Sequence, residues 1–99
     1  MRPHKNYDDH LLESLKDPAE AAAYLNAAIE ENDPELLLVA LGDVARAHGM
    51  TTLAQRSAIH RVSLHKMLSK RGNPEFSSLV RIVKAAGLRL SFQPDKKAA

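Results

Sequence analysis

The stretch "TTLAQRSAIHRVSLHKML", from Thr51 to Leu68, decides the fold of this chain of 99 residues. A pair of short helices joined by a tight turn needs an apolar and then a small residue on its first helix. It also needs a buried aliphatic residue beside the turn and aliphatic residues on the inner face of its second helix. The stretch supplies these in order: Leu53 and Ala54, then Ile59, then Leu64 and Leu68. The pattern predicts a helix-turn-helix.

Two residues of the turn depart from the usual pattern. Ala58 stands where glycine is usual, because this turn residue often has a positive φ that glycine adopts most easily. His60 stands where Ser or Thr would normally cap the second helix. We expect Ala58 to be tolerated at a small cost and His60 to act as a substitute cap or a phosphate contact. A helical hairpin from an unrelated bundle remains the alternative.

The outward face of the predicted second helix is basic, which indicates DNA binding. Arg61 and Val62 open this helix, where arginine can bond guanine in a bidentate manner and valine can contact a thymine methyl group. Each later cation alone could equally be an ordinary solvated side chain, whereas together they suit phosphates. The predicted DNA-facing residues of this segment are Arg61, Val62, His65, Lys66, Ser69, Lys70 and Arg71.

Charge is divided unevenly along the chain, although the net charge is only +2. Residues 1–49 contain four Lys or Arg against ten Asp or Glu, whereas residues 50–99 contain ten against two. A chain divided in this way can meet two partners of opposite sign. We expect a polyanion at the basic half, which contains the helix pair, and a basic protein at the acidic half. Two ordinarily solvated surfaces are the alternative.

Three predicted helix starts share a capping Asp or Asn before Pro: "DPAE" at Asp17, "DPEL" at Asp33 and "NPEF" at Asn73. The cap side chain accepts backbone N–H groups, and Pro suits the first helical position. Together with the helix pair, these signals predict five helices, at residues 18–31, 34–48, 52–57 (capped by Thr51), 61–69 and 74–86. The second helix ends at Gly49, and the fifth is expected to bury Phe76, Leu79, Val80 and Val83.

The segment that follows the fifth helix has the alternation of a half-buried strand. Leu88, Leu90 and Phe92 alternate with polar residues. A lone strand in a helical domain needs a mate, so we predict a homodimer in which this strand pairs with its two-fold copy. The alternative is that the segment folds back on the fifth helix.

Length and composition fit one small domain with a modest core. Residues 1–16 are expected to form a flexible N-terminal arm and residues 94–99 a disordered tail. Between them, residues 17–93 should form a single helical domain. It comprises an acidic helical pair at residues 17–49 and a basic helix-turn-helix half at residues 50–93. The predicted fold class is all-α, with five helices and a short C-terminal β-strand.

Several function classes find no support in the sequence. The chain has no cysteine, which excludes disulfides and thiolate metal sites and fits a reducing cytoplasm. His60 and His65 are five residues apart, unlike the i, i+4 spacing that chelates zinc. We see no nucleophile–base set and no phosphate loop, and so expect neither an enzyme nor a cofactor. The first ten residues lack the apolar region of a signal peptide, so we expect a cytoplasmic protein with no membrane partner.

Distinctive strings cover most of the chain, from Leu15 to about Phe92: "LKDP", "AAYLNAAIEE.DPELLLVAL.DVA.A.GM" and "LHKMLS..GNPEF..L.....A.GL.L". In these the sequence resembles the addiction-module antidote proteins, small antitoxins with a lambda-repressor-like (Xre-type) helix-turn-helix. Members commonly have Gln where this chain has Thr52, Gly where it has Ala58 and Ser where it has His60. The resemblance places DNA-facing sites at Thr52, Arg61, Val62, His65 and Lys66.

The resemblance implies an antitoxin that neutralises a RelE/ParE-like toxin encoded beside it and represses their shared operon. Its partners would be operator DNA and the cognate toxin polypeptide. Because such toxins are usually basic, the acidic half is the expected docking surface. Two alternatives are a stand-alone phage-type repressor without a toxin partner and a helical adaptor that binds only protein.

Overall fold

The computed structural model describes residues 5–96, which contain six helices and no strand. The predicted all-α class is confirmed, whereas the prediction of five helices with a C-terminal strand is wrong. The helices are α1 (Lys5–Leu15), α2 (Pro18–Glu30), α3 (Pro34–His48), α4 (Met50–Ser57), α5 (Arg61–Met67) and α6 (Phe76–Ala85). None of these six helices is long and apolar enough to cross a membrane.

The additional helix, α1, occupies most of the segment predicted to be a flexible arm, whose residues 1–4 lie outside the described part of the chain. It packs against α2 and α3. Leu15 at its end is only 1% exposed and belongs to the hydrophobic core. Burial of an amphipathic face stabilises a helix that its local sequence would leave marginal. The arm prediction overlooked this because α1 starts without a capping signal.

Two of the three predicted Asp/Asn-Pro caps are confirmed. Asp17 accepts a hydrogen bond from the N–H of Ala19 at 3.0 Å. Asp33 accepts bonds from the N–H groups of Glu35 at 3.0 Å and of Leu36 at 3.4 Å. Both caps fix where α2 and α3 begin, with proline in the first turn of each.

The third predicted cap, at Asn73, is wrong, because α6 begins at Phe76 and is preceded by Glu75 without a side-chain cap. A Cβ on Gly72 would collide with the carbonyl of Met67, so the loop passes directly against the end of α5. Residues 72–75 are irregular, and α6 starts only after them.

One core runs through both halves of the chain. Its largest fully buried side chains come from five of the six helices: Leu15, Val44, Leu53, Leu64 and Ile82. Alanines let helices approach closely in the acidic half, where Ala21 and Ala45 are completely buried. The predicted burial of Phe76 is wrong, since its side chain is 67% exposed.

The C-terminal segment leaves α6 through a turn. Gly87 has a φ of 80°, which a glycine adopts without strain, and the N–H of Leu88 donates to the carbonyl of Val83 at 3.0 Å. Residues 88–95 form no strand within the described chain, which corrects the predicted strand at this position. Of the predicted tail, residues 97–99 lie outside the described part of the chain.

Candidate nucleic-acid interface

Helices α4 and α5 form a pair joined by residues 58–60, as the opening stretch predicts. The framework residues are buried, with Leu53 at 1%, Ile59 at 6% and Leu64 at 0% exposure. The N–H of Ile59 donates to the carbonyl of Ala54 at 3.1 Å, which closes the turn. Because the inner side chains are fixed in this way, the outer face of α5 is held in one orientation.

Ala58 adopts the left-handed conformation that was expected for the turn, with φ 58° and ψ 36°. The backbone needs this conformation to end α4 and to direct α5 across it. For a residue with a Cβ the conformation costs about 1 kcal/mol relative to glycine. The turn therefore forms despite the residue at this position, since the buried framework on either side determines it.

His60 caps α5, as the sequence suggested. Its Nδ1 accepts the N–H of Val62 at 3.3 Å, the bond that a Ser or Thr hydroxyl would otherwise provide. The side chain remains exposed. Helix α4, in contrast, begins at Met50 after Gly49 and has no side-chain cap. The predicted Thr51 cap is therefore wrong.

All eight predicted DNA-facing residues are exposed: Thr52 in the first turn of α4, Arg61, Val62, His65 and Lys66 on α5, and Ser69, Lys70 and Arg71 after it. The apolar side chain of Val62 is 56% exposed, although α5 also has a buried face. Ser69 donates its hydroxyl to the carbonyl of Lys66 at 2.9 Å, which ties Ser69 to the end of α5. Cations and an aliphatic side chain are therefore exposed on α5 and on the residues that follow it.

Ion pairing differs between this face and the N-terminal half. Within the described residues the ion pairs join Lys16 to Glu13 at 3.1 Å, and Arg46 to Asp43 at 2.7 Å and to Asp8 at 3.7 Å. None involves a cation of α4, α5 or α6. No described carboxylate therefore forms an ion pair with the cations of the helix pair.

His65 has a second neighbourhood besides the exposed face of α5. It lines an open depression of about 220 Å³ between α3 and α5, together with Val39, Met50 and Leu68. The two helices come close here, since a Cβ on Gly42 would lie 3.2 Å from the carbonyl oxygen of Leu68. His65 thus lies at the border between the acidic and the basic half.

One group of cations was not predicted from the sequence. Arg56, Arg81 and Lys84 line an open depression of about 470 Å³ between α4 and α6. Burial, and then the charge of Arg56, lower the pKa of nearby His48 from its ordinary value of 6.5. The available signal was the i, i+3 spacing of Arg81 and Lys84 on one face of α6. Their proximity to Arg56 depends on the packing of α4 against α6.

The acidic half combines a polar network with exposed apolar side chains. Tyr24 donates to Asp43 at 2.6 Å and Arg46 donates to the same carboxylate, whose hydrogen bond raises the pKa of the guanidinium. This network joins α2 to α3, and the ion pair with Asp8 extends it to α1. Three aliphatic residues nevertheless face solvent on α2 and α3, at 40–51% exposure: Ile29, Leu36 and Val39.

No group of three or more His, Asp or Glu side chains that could hold a metal ion occurs within the part of the chain that the structure describes.

Comparison with known proteins gives a family. The chain matches a family model described as "Probable addiction module antidote protein" over residues 5–94. It is also 38% identical, over 94 residues, to an uncharacterized protein of Haemophilus influenzae, and the match covers 95% of each chain. No solved structure matches. The chain belongs to the family of probable addiction module antidote proteins.

Proposed function

We propose that this chain is the antitoxin of a type II toxin–antitoxin module. It neutralises a RelE/ParE-like toxin by direct binding and represses its own operon through an Xre-type, lambda-repressor-like helix-turn-helix. Membership of the antidote family supports an antitoxin role and implies a toxin partner, and it suggests a regulatory protein rather than an enzyme. The observation that carries the proposal of DNA binding is the exposed basic face of α5. This helix is capped by His60, and its cations form no ion pair within the described residues.

In this proposal α5 occupies the major groove. Arg61 bonds a guanine and Val62 contacts a thymine methyl group, because both open the helix where side chains reach base edges. Lys66, Lys70 and Arg71 contact phosphates and so set affinity rather than sequence. Thr52, His65 and Ser69 complete the interface at its edges.

The toxin docks on the acidic half. Exposed apolar side chains beside carboxylates suit a basic partner, since apolar contacts provide affinity and opposite charge accelerates association. Leu36 and Val39 lie three residues apart on one face of α3, each 40% exposed. Glu30 and Glu31 lie at the end of α2 without any hydrogen bond to their side chains among the described residues.

The protein acts as a homodimer, since one helix pair of this size usually reads one half-site of two. The proposed contact is the C-terminal segment at Leu88, Leu90 and Phe92. Leu90 is 45% exposed and Phe92 is 91% exposed, which leaves apolar surface for a second copy. Contact between the two segments in a two-fold dimer would cover the exposed side chains of Leu90 and Phe92.

Co-expression with the reading frame beside the gene tests the proposal. We expect the full chain to restore growth and to co-purify with that small basic polypeptide, and to bind the DNA upstream of the operon. The variant Glu30→Lys/Glu31→Lys should slow toxin association and leave DNA binding intact. Asp33 is left unchanged because it caps α3.

Glu75→Lys, which alters an exposed carboxylate outside the acidic half, is the control and should leave toxin association unchanged. DNA binding without any protein partner would instead identify a stand-alone repressor. Toxin binding without DNA binding would identify a protein-binding adaptor.

A further inference from the structure

The basic depression between α4 and α6, lined by Arg56, Arg81 and Lys84, lies outside the DNA-facing surface assigned above. We will call it the α4–α6 depression. We propose that it binds nucleic-acid phosphates beyond the bases that α5 reads, so that the footprint on DNA extends past the recognition helix. This inference rests on the proposed binding of operator DNA.

The position of the depression favours DNA over other anionic partners. Ser57 and Ala58 also line it, and Ala58 belongs to the turn that leads into α5. The depression is therefore only three residues from Arg61 along the chain, at the end of α5 where base contacts are proposed. A duplex held by Arg61 continues in both directions, so its backbone can reach cations on this side.

The electrostatics of the depression favour an anion. Its lining contains three cations and no carboxylate. No hydrogen bond or ion pair within the described residues engages the side chains of Arg56, Arg81 or Lys84. Three like charges around one depression repel one another, and a polyanion relieves that repulsion. Guanidinium groups suit phosphates especially well, because they can form two parallel hydrogen bonds.

A carboxylate-rich protein surface is the competing partner. The acidic half of a second copy would be one source, because residues 1–49 have ten Asp or Glu. However, several of these carboxylates are already engaged as caps or ion pairs, including Asp17, Asp33 and Asp43. The phosphates of DNA, in contrast, are not engaged in contacts within a protein, and they lie close to the turn in the proposed complex.

The test is the salt dependence of DNA binding by the full chain, measured by fluorescence anisotropy on an upstream duplex and on an unrelated duplex. Each lost phosphate contact should lower the slope of log K against log salt by about 0.9. The variant Arg56→Gln/Arg81→Gln/Lys84→Gln should therefore reduce the slope by about 2.7. That reduction makes the protein about 40-fold less sensitive to a change from 50 to 200 mM salt. Base preference should not change.

Lys16→Gln is the control, because Lys16 is an exposed cation between α1 and α2 that pairs with Glu13. Thermal melting of each variant checks the fold, and Arg81→Gln alone should give a third of the effect. An unchanged slope in the triple variant overturns the inference while wild-type DNA binding keeps the proposed function. If that variant instead weakens self-association in sedimentation, the depression belongs to an acidic surface of a second copy. A wild-type chain that binds neither duplex overturns the proposed function and the inference together.

Discussion

The acidic half, α1–α3, and the basic half, α4–α6, use their charged residues differently. In the acidic half, carboxylates cap helices, and Asp8, Tyr24, Asp43 and Arg46 form a network that ties α1, α2 and α3 together. In the basic half, the described cations form no ion pair, and the fold is held by apolar side chains and by the capped turn. Charged side chains of the first half make contacts within the fold, whereas the described cations of the second half form no ion pair and are, in our proposal, the ones that bind DNA.

The largest expected effect concerns whether the two halves form one folding unit. Leu64 of the basic half and Leu15 of the acidic half are both essentially inaccessible and belong to the same core. Leu64→Ala and Leu15→Ala should each lower the free energy of unfolding by about 2–5 kcal/mol, because each leaves a cavity. Urea denaturation should show one cooperative transition in both variants. Two transitions, with one half unaffected, would contradict a shared core.

A smaller effect is expected at the turn that joins α4 to α5. Ala58→Gly should raise the free energy of unfolding by about 0.5–1 kcal/mol, since glycine adopts a φ of 58° without strain. DNA affinity should stay within the error of the measurement, because the turn already has its required shape. Ala54→Gly, in the middle of α4, is the control and should destabilise by about 1 kcal/mol or more. A loss of stability in Ala58→Gly would show that the methyl group makes a contact that outweighs the strain.

The smallest expected effect is a pH dependence at the border of the halves. The lowered pKa of His48 means that the folded protein binds fewer protons there than the unfolded chain does. The free energy of unfolding should therefore be highest above the ordinary pKa of 6.5 and should decrease as the pH falls below it.

His48→Gln should flatten this dependence in urea denaturation between pH 7.5 and 5. Arg56→Gln should weaken it only in part, because burial is the larger cause. An unchanged profile in His48→Gln would assign the dependence to other groups.

Capping residues and apolar spacing correctly predicted the helix starts and turns that depend on neighbouring residues. The caps at Asp17 and Asp33 fixed two helix starts, and the apolar spacing from Leu53 to Leu68 fixed the helix pair. A positive φ at Ala58 and a cap at His60 also followed from their positions in the turn. Each of these features depends on residues within one short stretch of the chain.

The features that were wrongly predicted or not predicted depend on contacts between distant parts of the chain. Helix α1 is stabilised by packing on α2 and α3, which no capping signal announced. The loop before α6 is shaped by the close approach of Gly72 to the end of α5, so the Asn73 signal did not start a helix. Arg56 and Arg81 become neighbours only through the packing of α4 on α6.

The most direct test of the account is the effect of Arg61→Ala on binding to the DNA upstream of the operon, with Lys70→Ala as the matched variant. We expect Arg61→Ala to lose about 1–3 kcal/mol on that duplex and to relax the preference at one base pair. Lys70→Ala should weaken binding to all sequences alike and lower the salt slope by about 0.9. Equal affinity and unchanged base preference in Arg61→Ala would contradict the claim that the exposed face of α5 reads DNA.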